Sequence, residues 1–122
     1  MTLALTGHAV GRGIAIGRSH LAEGSELEIG EYRIGADEVD KEIRRYRNAI
    51  DAARHQLEDL AGRVSRNVGI GAAEIIQTHV LMLSDSRLRD GTEEHIRREL
   101  CNAEWALQMQ LERMLLEFRS LA

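Results

Sequence analysis

The sequence predicts a mainly all-α fold, an antiparallel helical bundle of about four helices with a short β segment at its N-terminus. Proline is absent from the 122 residues, so no residue forces a break within a helix. Aromatic residues make up only 3% of the chain, which predicts a core of aliphatic side chains. From Val39 to Val64, apolar residues recur at alternating steps of four and three, which is typical of one buried helix face.

The first and longest helix is predicted to run from the N-cap residue Asp37 to about Arg66, with Gly69 and Gly71 marking its end. At about 1.5 Å per residue this helix is roughly 45 Å long. Its predicted buried face consists of Val39, Ile43, Tyr46, Ile50, Ala53, Leu57, Leu60 and Val64.

Two shorter helices are predicted after this break. One covers about 72–83, and Ser84 or Asp85 caps the next, over 86–100. Within the latter, Gly91 costs about 1 kcal/mol relative to alanine. Because the breaks are short, neighbouring helices are expected to pack antiparallel, either as a bundle or as a pair of helical hairpins.

The fourth helix is predicted to begin after the N-cap residue Asn102, and its apolar stripe runs from Ala103 to Leu121. The stripe continues to the end of the chain without a C-cap glycine, so we expect the chain to be part of a longer protein. These helices define one predicted domain over 35–122.

Residues 1–34 have a different pattern. Gly13–Gly17, Leu27–Ile29 and Tyr32–Ile34 are short apolar segments separated by turn residues, which is typical of strands. Because a few short strands are not stable alone in water, we expect them to belong to a larger sheet. In this chain, without that sheet, we expect them to be frayed or paired with a second copy.

Charge and cysteine usage restrict the function classes. The net charge of −4 argues against nucleic acid as the ligand. The basic cluster Arg44–Arg47 lies within two turns of Asp37, Glu38, Asp40 and Glu42, which predicts a salt-bridged, solvated face. A single cysteine, Cys101, excludes an internal disulfide, and no apolar run is long enough for a signal peptide or membrane span. We therefore expect a cytoplasmic protein.

No catalytic, metal-binding or nucleotide-binding motif is evident. Gly11–Gly17 lacks the glycine spacing of a dinucleotide-binding loop, because Ile16 stands where the third glycine is needed. None of the five histidines is in a zinc or di-iron motif, and nothing resembles a nucleophile turn. A free-standing enzyme would need a site that this sequence does not offer.

The segment Ile75–Asp85 contains the best candidate binding residues. His79 shares a helix face with Ile75 and Leu83. It is either half-buried and bonded to a backbone carbonyl, or a polar anchor of a docking surface. A catalytic role is the least favoured of the three. Leu81, Met82 and Leu83 are consecutive, so they cannot all face one core. Together with Leu88 they either form an exposed binding surface or pack against the fourth helix.

Four segments in order resemble the N-terminal part of Enzyme I of the phosphoenolpyruvate-dependent phosphotransferase system, including its nitrogen-branch relatives. They are Gly13–Gly17, Asp37–Arg45, Ile75–Asp85 and Asn102–Ala106. The resemblance implies a helical subdomain that docks the phosphocarrier HPr or its paralogue NPr in sugar transport or its regulation. It also implies that 1–34 belongs to a missing α/β swivel domain.

The family's phosphorylated histidine follows two glycines in a later segment, and the barrel that binds phosphoenolpyruvate and Mg²⁺ lies later still. The resemblance therefore implies no catalytic residue and no cofactor in this chain. It implies a carrier-facing surface that comprises His79, Leu81, Met82, Asp85, Arg87, Leu88 and Phe118.

Two departures from the family pattern bear on this expectation. Gly11 and Arg12 replace a Ser-Pro pair, which loosens the opening turn. Ile70, Gly71, Ser86 and Arg87 stand where sugar-pathway members are often acidic, and an arginine would repel a basic carrier helix. This favours a divergent or nitrogen-branch carrier. The alternative function is a self-associating helical adaptor that dimerises through its N-terminal strands or its heptad face.

Overall fold

The computed structural model describes residues 6–8, 11–14, 16–18, 20 and 27–121. Within these residues the chain forms one short 3-10 turn, Ala36–Glu38, and four α-helices. The helices are α1 (Val39–Asn67), α2 (Ile70–Leu83), α3 (Ser86–Glu99) and α4 (Ala103–Ser120). The predicted fold class is confirmed.

The helices are arranged as two hairpins, α1 with α2 and α3 with α4. The 29 residues of α1 span about 43 Å, roughly twice the length of the 14-residue α2. Because α2 follows a turn at the end of α1, it covers only the C-terminal half of α1. The N-terminal half of α1 is therefore free to contact α3 and α4, and these contacts join the two hairpins.

The main core lies where the N-terminal half of α1 meets the end of α3 and the start of α4. Its buried members are Ile43, Tyr46, Ile96, Cys101, Ala103 and Ala106. The small residues Ala103 and Ala106 let α4 approach α1 closely, so that Ile43 and Tyr46 fill the space between them. The core is mainly aliphatic, as the composition predicts.

The predicted apolar face of α1 is buried at the N-terminal end of the helix, whereas at the C-terminal end the buried face lies one position further along. Ile43 and Tyr46 are each 4% exposed, whereas Leu60 is 38% exposed and its neighbour Ala61 is 2% exposed. A straight α-helix has 3.6 residues per turn, so a strict heptad stripe drifts by about 20° per heptad relative to the helix face. By the third heptad the adjacent position faces the partner helix α2.

Two helix boundaries differ from the prediction. Asp37 is not the N-cap, because it lies inside the 3-10 turn that begins after Gly35. The Gly35 N–H instead donates to the Glu38 carboxylate over 2.9 Å. The break consists of Val68 and Gly69, and Gly69, with φ of 130°, adopts a conformation that favours glycine. Helix α2 therefore begins at Ile70 and includes Gly71.

The predicted strands Leu27–Ile29 and Tyr32–Ile34 are wrong, because the N-terminal segment forms no strand within residues 27–34, and the predicted strand Gly13–Gly17 lies partly outside the described residues. It contacts the α3–α4 connection instead, where Arg33 and Cys101 form an isolated antiparallel bridge. The Ile34 N–H donates to the Leu100 carbonyl, and the Asn102 N–H donates to the Tyr32 carbonyl. The prediction that 1–34 belongs to a missing α/β domain falls partly on residues outside those described, and it stays a prediction.

Asn102 occupies the predicted N-cap position of α4, but its side chain bonds elsewhere. Its amide oxygen accepts from the Tyr32 N–H, and its amide nitrogen donates to the Gly30 carbonyl and to the Glu104 carboxylate. The first amide of α4, that of Ala103, donates over 2.8 Å to Glu42 from α1. A carboxylate from another helix therefore caps α4.

The predicted salt-bridged face is present, although its partners differ from the prediction. Arg45 pairs with Glu42 as predicted, but also with Glu104 of α4, and Arg47 pairs with the buried Glu93 of α3. The cluster therefore connects α1 to both helices of the second hairpin. No helix in the described part of the chain is long and apolar enough to cross a membrane.

Candidate docking surface

The predicted binding residues lie at the end of α2, at the start of α3 and near the end of α4. We use the term docking surface for those that are not buried, namely His79, Leu81, Met82, Asp85, Arg87 and Phe118. Their arrangement follows from how α2, the α2–α3 turn and α4 pack.

Helix α2 has one face toward α1 and apolar residues on its outer side as well. Ala73 and Val80 are the buried residues, separated by seven positions. Leu81 is 70% exposed and Met82 is 58% exposed, while Leu83 is partly buried. The prediction that three consecutive large apolar residues cannot share one core is confirmed.

His79 is exposed on the outer side of α2. Its Nδ1 atom lies 2.9 Å from the carbonyl oxygen of Ile75, one turn earlier. The predicted bond to a backbone carbonyl is therefore present, but the ring is exposed and not half-buried. The bond fixes the orientation of the imidazole relative to the helix.

The turn between α2 and α3 is held by Asp85, which is the N-cap of α3. Its carboxylate accepts from the Arg87 N–H over 2.8 Å and pairs with the Arg87 guanidinium over 3.0 Å. The Arg87 guanidinium, followed by the Arg87 backbone N–H, lowers the pKa of the Asp85 carboxyl from its ordinary value. The two charges compensate each other at the docking surface.

Leu88 does not reach the surface, contrary to the expectation for a carrier-facing residue. It is 5% exposed and shares the inner face of α3 with Thr92 and Ile96, which follow at steps of four. Because α3 packs against α4 along this face, the side chain of Leu88 is enclosed. Its contribution is to hold the start of α3 in place.

Phe118 extends the surface onto α4, where it is 59% exposed. The amide nitrogen of Gln110 donates over 2.9 Å to the Arg87 carbonyl, which joins α4 to the first turn of α3. Arg87, Met114 and Glu117 line one cleft between the two helices. The last turns of α4, which carry Phe118, therefore lie beside the start of α3.

Ile75 is a surface residue that the sequence analysis did not include among the binding residues. It is 64% exposed and lies on the same outer face as His79 and Met82, at positions i, i+4 and i+7. The sequence did indicate that Ile75 is exposed, since Ile75, His79 and Met82 are out of phase with the buried pair Ala73 and Val80. Gln110 was also missed, because a contact between helices leaves no local pattern.

The described residues contain no group of three or more His, Cys, Asp or Glu side chains placed to hold a metal ion. What the surface offers is several exposed apolar side chains, one imidazole and one compensated ion pair. Such a surface is suited to binding another protein.

Comparison with known proteins identifies the family. The family model described as PEP-utilising enzyme, N-terminal, matches residues 6–122. The chain belongs to this family. The resemblance of the four sequence segments is therefore confirmed.

Individual relatives agree with this family assignment. The chain is 36% identical over 118 residues to phosphoenolpyruvate-protein phosphotransferase of Cupriavidus necator, covering 97% of the chain and 20% of the relative. The same-named protein of Listeria innocua is 31% identical over 108 residues, covering 88% and 18%. The chain thus spans about a fifth of the length of the curated relatives it matches.

A solved structure supports the same assignment. An NMR solution structure of Enzyme I (nEIt) superposes with a TM-score of 0.72 at 27% identity, covering 80% of this chain and 39% of that one. The two hairpins are therefore the fold of the Enzyme I N-terminal helical region. These matches give no support to the alternative of a self-associating adaptor.

Proposed function

We propose that this chain is the docking subdomain for a small HPr-like phosphocarrier, HPr or NPr, within a phosphoenolpyruvate-protein phosphotransferase. The name of the curated relatives describes transfer of phosphoryl from phosphoenolpyruvate to a protein. A phosphoryl relay of this kind requires that the enzyme and its protein acceptor meet and separate quickly. The proposed role of this domain is to position the acceptor, with Mg²⁺ and phosphoenolpyruvate bound by other domains of the parent.

The observation that carries the proposal is the exposure of Leu81, Met82 and Phe118 beside the start of α3. Removal of apolar surface from water contributes about 25 cal/mol per Å², so even a small patch gives measurable binding. Methionine adapts to different partner shapes because its side chain is unbranched and polarizable. We expect an interface in the lower size range, at or below about 1,200 Å², and a dissociation constant of the order of micromolar.

Electrostatics support a preference among carriers. Asp85 is paired with Arg87, so the α2–α3 turn presents no excess negative charge to a basic partner. Arg87, with its side chain 63% exposed, therefore removes the attraction that an unpaired Asp85 would exert on a basic carrier helix. We therefore propose that NPr, or another divergent carrier, binds more tightly than HPr.

The direct test is an NMR titration of the ¹⁵N-labelled chain with unphosphorylated HPr and NPr at low salt. We expect shifts at Ile75, His79, Met82 and Phe118, with the larger affinity for NPr. Shifts spread over the whole chain, or none with either carrier from a folded sample, would refute docking at this surface.

A pair of variants provides the matched control. Met82→Ala is expected to weaken carrier binding several-fold, because it removes exposed apolar area from the surface. Val68→Ala also truncates an exposed apolar side chain, 73% exposed, but it follows the end of α1, at the opposite end of α2 from Asp85. This control should leave the affinity unchanged.

The proposed absence of a phosphoryl acceptor is tested separately. The chain is incubated with phosphoenolpyruvate and Mg²⁺, alone and with a carrier, and its intact mass is measured. No gain is expected. A gain of roughly 80 Da, one phosphoryl group, would show that a histidine of this domain accepts phosphate.

A further inference from the structure

The hydrogen bond of His79 determines where its ring proton lies. A backbone carbonyl oxygen only accepts, and the Nδ1 atom of His79 is 2.9 Å from the carbonyl oxygen of Ile75. The proton between these atoms therefore belongs to Nδ1. With the proton on Nε2 instead, the Nδ1 lone pair would face the carbonyl lone pair at this distance, which is repulsive.

We infer that His79 is the hydrogen-bond acceptor of the docking surface, with Nδ1 protonated and the Nε2 lone pair directed outward, and that it selects a carrier presenting an uncharged N–H or O–H donor. This inference rests on the proposed function, because it names the chemistry of the partner that meets the docking surface.

The surroundings of the ring support an acceptor role. His79 is exposed, and within residues 27–121 the only hydrogen bond of its ring is the one made by Nδ1. Ile75 and Met82 flank it on the outer face of α2 and are 64% and 58% exposed. A partner that covers these apolar side chains also removes water from Nε2, so the lone pair needs a replacement donor.

The charge of the surface indicates which donor is expected. Arg87 is on the same surface, and its pairing with Asp85 leaves no free carboxylate in the α2–α3 turn to attract a cation. A hydroxyl or an amide satisfies Nε2 without burying a charge. An ammonium or guanidinium donor would lose the hydration of its charge without gaining a carboxylate partner from this turn.

The test uses two isosteric substitutions in the 122-residue chain. In His79→Gln the side-chain amide reaches the position of Nε2 and offers an acceptor oxygen there. In His79→Asn the amide reaches only the position of Nδ1, so the bond to Ile75 is retained and the outward acceptor is lost. With the carrier that binds the unmodified chain more tightly, HPr or NPr, we expect His79→Gln to bind within about twofold and His79→Asn to bind about fivefold to tenfold more weakly.

Salt separates neutral donors from charged ones. The loss in His79→Asn is expected to be the same at about 0.05 M and about 0.5 M salt, because a neutral hydrogen bond is not screened. A loss that disappears at high salt would assign a cationic donor and would overturn the inferred selection. Equal affinities of His79→Asn and the unmodified chain would overturn the acceptor role altogether.

The tautomer is measured independently of any carrier. The ¹⁵N shifts of the His79 ring in the free chain, near about pH 8 where free imidazole is neutral, distinguish a protonated Nδ1 from a protonated Nε2. A protonated Nε2 would overturn the inference. If neither carrier bound the unmodified chain, the proposed function would fail together with the inferred partner. If Met82→Ala weakened binding and His79→Asn did not, only the inference about His79 would be refuted.

Discussion

Glu42 joins the two hairpins directly, because a carboxylate on α1 bonds to the first turn of α4. Its side chain is 11% exposed, accepts the first amide of α4 and pairs with Arg45. Arg45 in turn pairs with Glu104 of α4. A carboxylate near a helix N-terminus is favourable both as a hydrogen-bond acceptor and through the helix dipole. Glu42 therefore fixes the position of α4 on α1.

Removal of the Glu42 carboxylate is expected to destabilise the fold by about 2–4 kcal/mol in Glu42→Ala, because the buried Ala103 amide loses its acceptor and Arg45 loses a partner. Glu42→Gln retains an acceptor and should lose less. Urea unfolding followed by circular dichroism measures the difference. Glu58→Ala, on the exposed side of the same helix, should change the stability by less than about 0.5 kcal/mol. Equal effects of Glu42→Ala and Glu58→Ala would contradict the bridging role.

Glu104 predicts a defined response to acid. Its hydrogen bonds from Arg45 are the main cause that lowers its pKa from 4.5 to about 2. A lowered carboxyl pKa stabilises the folded state above the unfolded value, and that contribution is lost as the pH falls from about 4.5 toward about 2. Thermal melts across this range should show a smaller decrease for Glu104→Gln than for the unmodified chain. Arg45→Met should also reduce the decrease in melting temperature with falling pH. If both variants lost as much stability in acid as the unmodified chain, the Arg45–Glu104 pair would not be the cause.

At the scale of elements, the close approach of α3 and α4 depends on Gly91. A Cβ atom at this position would overlap the side-chain amide of Gln110, which is 5% exposed and held by the Arg87 carbonyl. In the sequence, Gly91 is recognisable only as a glycine inside a helix, where it lowers helix stability by about 1 kcal/mol relative to alanine. In the folded domain the absent side chain is what leaves space for Gln110.

The exchange Gly91→Ala is therefore expected to destabilise the domain by about 1–3 kcal/mol, in spite of the better helix propensity of alanine. Gly62, inside α1, provides the control, since only the end of the Arg66 side chain lies within 4 Å of a Cβ there. Gly62→Ala should stabilise by about 0.5–1 kcal/mol. Both values come from denaturant midpoints at constant m-value. Stabilisation by both exchanges would show that the α3–α4 contact is loose at Gly91.

At the scale of the whole molecule, the docking surface combines residues from three helices. The end of α2 carries His79 and Met82, the start of α3 carries Arg87, and α4 carries Phe118. The hairpins meet through α1, and Gln110 fixes the start of α3 against α4. The surface therefore depends on the packing of both hairpins and not on one recognition helix.

Charge reversal at this surface tests the proposed carrier preference. Arg87→Glu is expected to lower the dissociation constant for HPr by about threefold to tenfold at low salt and to have little effect at high salt. The exchange leaves Asp85 without its cation and adds a second carboxylate, so the turn then attracts a basic helix. Arg89→Glu changes the net charge equally, but Arg89 lines a different cleft beside Tyr46 and Arg47. Calorimetric titration of both variants measures the effect. No difference between them would show that net charge, and not the position of Arg87, controls binding.

Local patterns in the sequence predicted the elements well and their contacts less well. The start of α3 after Asp85 and of α4 after Asn102 could be predicted, because caps follow from a few neighbouring residues. The hydrogen-bond partners of the Asn102 side chain could not be predicted, since Tyr32 and Gly30 are about 70 positions away along the chain. The exposure of Met82 was predictable from consecutive apolar residues, whereas the burial of Leu88 depends on where α4 lies.

The amino-acid sequence was sufficient to predict the family, the number of helices, their order and the apolar segment that ends α2, because these depend on periodicity, caps and motif order. The packed helices were needed to show that Glu42 caps α4, that Gly91 accommodates Gln110 and that Leu88 is enclosed. The structure also places Nδ1 of His79 2.9 Å from the Ile75 carbonyl oxygen, within α2. The tertiary contacts depend on which helix faces meet across distant parts of the chain, and the His79 bond depends on a side-chain rotamer. Neither is fixed by local sequence pattern.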